Sequence, residues 1–286
     1  MNSGTSGGTH SLPPAAGGPV ATAVDPGFWR VQRELQASSG LDLRAYKEKQ
    51  MLRRLTGFMG REGIKDLSTL AELIARDPAV RQRLLDYLAI NVTEFFRNPE
   101  RFDDLARRVL PELRRRWDRL RLWSAGCSNG AEPYSLAILL DELEPGSADR
   151  HQVLGTDIDR EALREAETAV YADDRLKEVS ALRRSRYFRQ LPDGRWQVLP
   201  EIRRYVRFAV LNLLQDPYPQ EQHLILCRNV VIYFTETAKQ DIFTRLAASL
   251  VPGGYLLLGS TETIFQPERY GLRSAAPFLY KRMEEA

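Results

Sequence analysis

The residues suited to chemistry in this chain stand where apolar runs end. RLRLWSAG (Arg119–Gly126) passes into a turn in which Gly126 and Gly130 enclose Cys127, Ser128 and Asn129, and Glu132 follows. Glycines between a strand and a helix let backbone approach a ligand closely, although a tight turn in any α/β protein uses them too. Neither GxxxxGK[ST] nor GxGxxG occurs, which argues against a nucleotide pyrophosphate. A carboxylate at Glu132 repels phosphate and suits an ammonium or a sulfonium. Asp157 closes the run HQVLGTDID; an acid at that place takes two hydrogen bonds from ribose hydroxyls in dinucleotide folds. A helix N-cap at Asp157 or Asp159 is the alternative. Asn212 closes YVRFAVLN, and its amide suits a purine edge or a turn. Together the three places describe a nucleoside site with a positive, phosphate-free group, the chemistry of S-adenosyl-L-methionine.

Strands and helices must bring these residues together. After about Val92 apolar runs alternate with helical ones. HLILCRNV (His223–Val230) and GYLLLGST (Gly254–Thr261) read as strands buried on both faces. AEPYSLAILLDEL (Ala131–Leu143), REALREAETA and TETAKQDIFTRLAASL (Thr235–Leu250, stopped by Pro252-Gly253-Gly254) read as helices. That alternation predicts an α/β fold with a Rossmann-like, mostly parallel sheet, its ligand beyond the carboxyl ends of the strands. SRYFRQLPDGRWQVLP (Ser185–Pro200) interrupts it with two short strands around Pro192-Asp193-Gly194, an inserted β-hairpin subdomain at about 185–204.

The stretch before Val92 is helical. One amphipathic run covers Leu43–Met59, with Met51, Leu52, Leu55, Phe58 and Met59 on one face and Lys49 and Arg53 opposite. DLSTLAELIARD follows with Ser68 as an N-cap, and DPAVRQRLLDYLAI opens with Pro78 just inside its helix. Residues 1–27 are Gly, Ser, Thr, Pro and Ala with one charge, a composition that cannot offset its ordering entropy. The expected division is a disordered tail over 1–27, an all-helical domain over 28–92 and an α/β domain over 93–286.

Composition narrows the function. The 286 residues carry 41 Lys+Arg against 38 Asp+Glu, a net charge of +3, which disfavours a general nucleic-acid binder. No apolar run approaches the ~18 residues of a membrane span, and the start lacks a signal-peptide pattern, so a cytoplasmic protein without membrane insertion is expected. Cys127, Cys227 and the 3 histidines make no metal-ligand spacing; both cysteines are expected as buried, inert thiols. Residues 28–90 carry 12 basic side chains against 8 acidic ones, whereas residues 91–286 carry 29 of each.

Five ordered motifs sharpen the reading. NVTEFFRNP (Asn91–Pro99), GCSNGAEPYS (Gly126–Ser135), GTDID (Gly155–Asp159), NLL (Asn212–Leu214) and CRNVVIYF (Cys227–Phe234) resemble the signature of the CheR family, chemotaxis-type protein-glutamate O-methyltransferases. The resemblance runs from about Phe28 to Arg282. It implies a class I methyltransferase fold that turns S-adenosyl-L-methionine into S-adenosyl-L-homocysteine while esterifying glutamates of a methyl-accepting chemoreceptor, for sensory adaptation. It implies that Asn91, Thr93 and Arg97 line the cleft, that Glu132 meets the methionine end and Asp157 the ribose, and that Asn212 and Leu213 hold the adenine. Arg228 and Asn229 would flank the cofactor. Arg97 and Tyr233 are the expected catalytic residues, the first docking the glutamate, the second near the transferred methyl.

Lys49, Arg53 and Arg54 are either a solvated face or a docking surface for receptor helices. The hairpin is structural, or takes a receptor's C-terminal peptide as in some members; the sequence leaves both open. A monomer with no nucleic-acid partner and no metal is expected. The alternative function is a signalling adaptor that binds S-adenosyl-L-methionine or receptor without significant turnover. The chain departs from the family at Ala131, where a second glutamate is frequent, at EQHLIL, where an Asp often precedes CRNV, and at GSTE (Gly259–Glu262), where GHSE is common. Ala131 bears on cofactor affinity.

Overall fold

The computed structural model describes Met1, residues 25–88 and residues 93–284. The expected tail therefore lies outside the described residues from 2 to 24, as does segment 89–92 with Asn91. Helix α1 (Pro26–Ser39) starts within the stretch expected as tail, because Asp25 caps it by accepting the Gly27 N–H, and Pro26 sits in the first turn. The run expected as one helix over Leu43–Met59 is broken. Leu43–Ala45 forms a single 3₁₀ turn, and α2 covers Glu48–Glu62. Between them the backbone is drawn into tertiary hydrogen bonds: Tyr46 bridges Phe234 antiparallel, the Lys47 N–H donates to Tyr233 O at 2.9 Å, and the Thr235 N–H to Ala45 O at 2.7 Å. Helix α3 (Leu67–Arg76) is capped by Asp66, not Ser68, with the Asp66 carboxylate accepting the Thr69 N–H at 2.7 Å. Helix α4 is Pro78–Leu88. Met51, Leu55 and Phe58 pack with Phe28, Leu35, Leu70 and Leu84 in a core of the helices' own.

In the second part, α5 (Pro99–Asp104), a π-helical turn (Leu105–Val109) and α6 (Leu110–Arg116) lead to β1 (Arg121–Ala125). Then come α7 (Ala131–Leu143), β2 (Gln152–Asp157), α8 (Arg160–Thr168), β3 (Val170–Tyr171), α9 (Ala181–Tyr187), β4 (Phe188–Gln190), β5 (Trp196–Val198) and α10 (Pro200–Arg203). The chain ends through β6 (Val206–Val210), β7 (Gln222–Cys227), α11 (Glu236–Ser249), β8 (Leu250–Leu258), β9 (Leu272–Ala276) and β10 (Leu279–Arg282).

The main sheet has the order β6-β2-β1-β7-β8-β10-β9. Its first five strands are parallel, and β10 is antiparallel to both its neighbours. Successive strand residues point to opposite faces: Leu122, Leu224, Leu226 and Leu257 enter one core, while Trp123, Ile225, Cys227 and Leu258 enter another. β7 is buried along its whole length, as its apolar run predicts. The chain order reverses between β1 and β7, which places a crevice beyond their carboxyl ends.

The insert differs from the expected hairpin. Ser185–Tyr187 close α9 instead of starting a strand, and β3 joins β5 and β4 in an antiparallel sheet of order β3-β5-β4. Pro252-Gly253-Gly254 does not separate α11 from the next strand. β8 begins at Leu250 and runs through those residues, with an irregular register against Gln222–Leu224.

Candidate active site

Beyond the crevice lies a cleft of about 1080 Å³, counted to its open mouth, built from the ends of β1, β2, β6 and β7 and roofed by α2. The glycine turn after β1 takes positive φ at Gly126 (77°), Ser128 (50°) and Gly130 (86°). A Cβ on Gly126 would meet Val230 Cγ2 at 2.4 Å, so the turn and the loop after β7 touch only because the side chain is absent. Ala131 follows, fully buried and outside the cleft lining.

The two acids after β2 divide their work. Asp159 caps α8, accepting the N–H groups of Glu161 and Ala162. Asp157 lines the cleft; its Oδ2 accepts the Ser128 N–H at 2.8 Å and its Oδ1 the Asp159 N–H at 2.9 Å. Burial pushes its pKa up, against those backbone hydrogen bonds. Asn212 and Leu213 line the cleft beyond β6, where Asn212 Oδ1 also accepts the Leu214 N–H at 2.9 Å in a turn.

Glu132 accepts from Ser124 Oγ at 2.8 Å and from Arg228 Nη1 at 3.1 Å. Arg228 is nearly inaccessible. Its Nη2 donates to Arg97 O and to Asn98 Oδ1, both at 2.7 Å, and its Nε is buried without a hydrogen-bond partner. One guanidinium thus ties the helix after the glycine turn to the segment that brings Thr93 and Arg97 into the cleft.

Asn229 (φ 59°) and Tyr233 reach the cleft from the loop after β7. That loop is held by Glu262, which the sequence reading did not single out. Its Oε2 accepts the N–H groups of Asn229 (2.7 Å) and Gly259 (2.8 Å), and its Oε1 those of Val230 (2.9 Å) and Ile232 (3.2 Å). An acid just past an all-apolar strand, in GSTE, was the available signal. Burial raises the Tyr233 pKa, while the guanidiniums of Arg54 and Arg97 oppose the rise. The three candidate docking cations on α2 separate: Arg54 lines the cleft and donates to Tyr87 O, whereas Lys49 and Arg53 are exposed and line none of it. Cys127 and Cys227 are both buried, and burial raises both thiols. Among the described residues no group of His, Cys, Asp and Glu is placed to hold a metal ion, and no helix is long and apolar enough to cross a membrane.

A parallel sheet with one reversed strand, a cleft at its switch point, and carboxylates in place of a phosphate loop define a class I methyltransferase that uses S-adenosylmethionine. Within that class the chain belongs to the CheR methyltransferase family: the family's all-alpha domain matches residues 26–89 and its SAM binding domain residues 91–277. A chemotaxis protein methyltransferase of Listeria monocytogenes is 37% identical over 250 residues, covering 87% of this chain and 94% of that protein. Chemotaxis protein methyltransferase 1 of Pseudomonas aeruginosa is 36% identical over 259 residues, covering 87% and 94%. Among solved structures, an S-adenosylmethionine-bound amino pentose methyltransferase from Micromonospora echinaspora is similar at a TM-score of 0.34 and 21% identity, covering 59% of this chain and 52% of that one.

Proposed function

We propose that the protein transfers the methyl group of S-adenosylmethionine to glutamate side chains of a methyl-accepting chemoreceptor, giving glutamyl methyl esters on the cytoplasmic side of the membrane. The observation that carries this reading is the meeting, in one cleft, of the carboxylates Glu132 and Asp157 with Arg97 and Tyr233. The donor set fits the cofactor. Asp157 has lone pairs left for ribose hydroxyls after its two backbone bonds, Asn212 and Leu213 flank an adenine, and Glu132 suits an ammonium. The unpartnered Arg228 Nε supplies a donor for a carboxylate. Thr93 and Asn229 complete the wall, and Asn91 belongs with them by resemblance. When bound, the cofactor supplies an electrophilic methyl on a positive sulfur.

The substrate needs no general base, because a glutamate with a pKa of ~4.3 is already ionised at neutral pH. The chain's residues therefore orient and exclude water, work that can supply ~7–11 kcal/mol. Arg97 grips the carboxylate in two-point geometry. Tyr233, its phenol pushed up by burial, stays protonated and donates a hydrogen bond. Lys49 and Arg53 attract the acidic helix that presents the glutamate, and Arg54 faces it at the mouth.

The test is transfer of label from methyl-labelled S-adenosylmethionine to chemoreceptor-containing membrane vesicles. Release of the label by mild base is expected for an ester. Base-stable label indicates N- or C-methylation and overturns the reading; cofactor binding without transfer indicates an adaptor. Arg97→Ala is expected to lower transfer by about 10²-fold or more with the fold intact. Near-wild-type turnover removes Arg97 from the role.

A further inference from the structure

The small β3-β5-β4 sheet touches two of the loops that line the cleft. Phe95 packs edge-on against Tyr171 of β3 (ring centroids 4.9 Å apart) and Phe188 of β4 (5.0 Å). Its N–H donates to Arg175 O at 3.0 Å, and Arg175 Nη1 returns a hydrogen bond to Thr93 O, also at 3.0 Å. Lys177 pairs with Glu94 at 2.8 Å. Arg183 of α9 lies 4.3 Å over the Phe96 ring and is itself fixed by Glu142 of α7. The Tyr171 hydroxyl also donates to Asn129 O at 2.7 Å, in the glycine turn.

Residues 93–98 belong to no helix or strand, so no ladder fixes them. Phe96 (φ 53°) and Asn98 (φ 62°) hold left-handed backbone, a conformation that persists in bulky residues only when the surroundings over-determine it. The insert holds the first half of the segment, Thr93 to Phe95, and stacks Arg183 on Phe96, while the Phe96 N–H donates to Ser135 Oγ of α7 at 3.0 Å and Arg228 fixes Arg97 O and Asn98. We infer that the inserted subdomain is the scaffold that sets the position of Thr93 and Arg97, with Arg175 as its chief positioning residue. Arg175 lines no part of the cleft. It acts through Thr93 and Phe95 by a reciprocal pair of bonds. The inference rests on the reading of Arg97 as the group that docks the substrate.

Arg175 is partly exposed, its side chain 34% accessible, so substitution there is compatible with folding. In the full chain, Arg175→Ala is expected to lower kcat for methyl transfer to chemoreceptor-containing vesicles by about 10- to 100-fold, the cost of a shift of roughly 1 Å in a reacting group. The Kd for S-adenosylmethionine, measured by calorimetry, should change much less than kcat, since Asp157 and Asn212 at the nucleoside end are oriented by Ser128, Asp159 and Leu214 and not by this link. Arg175→Lys should recover part of kcat, because an ammonium still offers Thr93 O a donor. If the alanine variant does not fold, Arg175→Met, which keeps the stem and has no donor, is read in the same way. Wild-type kcat in the alanine variant, or a kcat that only tracks the folded fraction, overturns the scaffold. Cofactor affinity lost in step with kcat does so too. If Arg97→Ala also retains transfer, the failure lies with the functional reading instead.

Discussion

Glu262 holds four backbone N–H groups on one carboxylate, two on each oxygen, and is only 3% exposed. All four donors lie in or beside the loop that carries Asn229 and Tyr233, so the carboxylate shapes that wall of the cleft without lining it. Burial pushes its pKa up, even though the hydrogen bonds pull the other way. A raised carboxyl pKa means that the group's contribution to stability is present below its unfolded pKa and is lost as pH rises through the folded one. Four N–H donors aimed at its two oxygens suit the ionised form, which is buried at some cost, and what it gives is an ordered loop. Glu262→Gln would turn an NH₂ toward N–H donors and leave about two of them unpaired. At roughly 1–3 kcal/mol each, a loss of about 2–6 kcal/mol is expected in urea unfolding, together with weaker S-adenosylmethionine binding. An unchanged unfolding midpoint would count against this account.

Elements are joined by similar clusters away from the cleft. Glu144, just after α7, accepts from Arg114 of α6 at 2.8 Å, from Arg150, and from buried His151 ahead of β2 at 3.1 Å. The Arg114 hydrogen bond, ahead of the other partners, brings the Glu144 pKa down to about 2 from the ordinary 4.5. A depressed carboxyl pKa contributes stability above the unfolded value that is lost as pH falls through the folded one. Glu144→Gln should therefore be less stable than the parent at pH 6, with the difference shrinking between pH 4.5 and about 2; a gap independent of pH excludes the carboxylate as its source. How well elements were legible follows from the reach of the forces that form them. The ends of β1, β2, β6 and β7, and with them the place of Glu132, Asp157 and Asn212, follow from apolar runs and turn residues that are local in sequence. The break at Tyr46 was not legible, because it comes from a bridge to Phe234. β9 and β10 escaped notice because β9 is mostly exposed and the pair ends the sheet, where apolar patterning is weak. Glu262 escaped for the same reason of range: three of its four N–H partners lie 30 to 33 residues away.

At the scale of the molecule, the helical part is tied to the cleft and not merely tethered beside it. Lys47, at the start of α2, donates to the backbone of Tyr233, and Arg54 of the same helix lines the cleft. Lys49 and Arg53 stand on the exposed side of α2, away from Met51, Leu55 and Phe58 in its core. Two of the 12 basic residues of 28–90, against 8 acidic ones, thus face solvent on the same helix that carries Arg54 into the cleft, a place from which they could attract an acidic substrate helix. Charges on such a surface act through attraction before contact, over a Debye length of about 8–10 Å at physiological salt. They should change how often substrate arrives and stays, not how the methyl moves once it is seated. Lys49→Glu combined with Arg53→Glu is expected to raise KM for chemoreceptor-containing vesicles by about tenfold at low salt, with kcat within about twofold, since two reversed charges on an exposed face alter encounter and rim binding. Adding salt should raise the parent's KM and leave the reversed variant's flat or lower, because screening removes attraction in one and repulsion in the other. If KM and its salt dependence match the parent's, α2 is a solvated face and receptor docking must be sought elsewhere on the molecule.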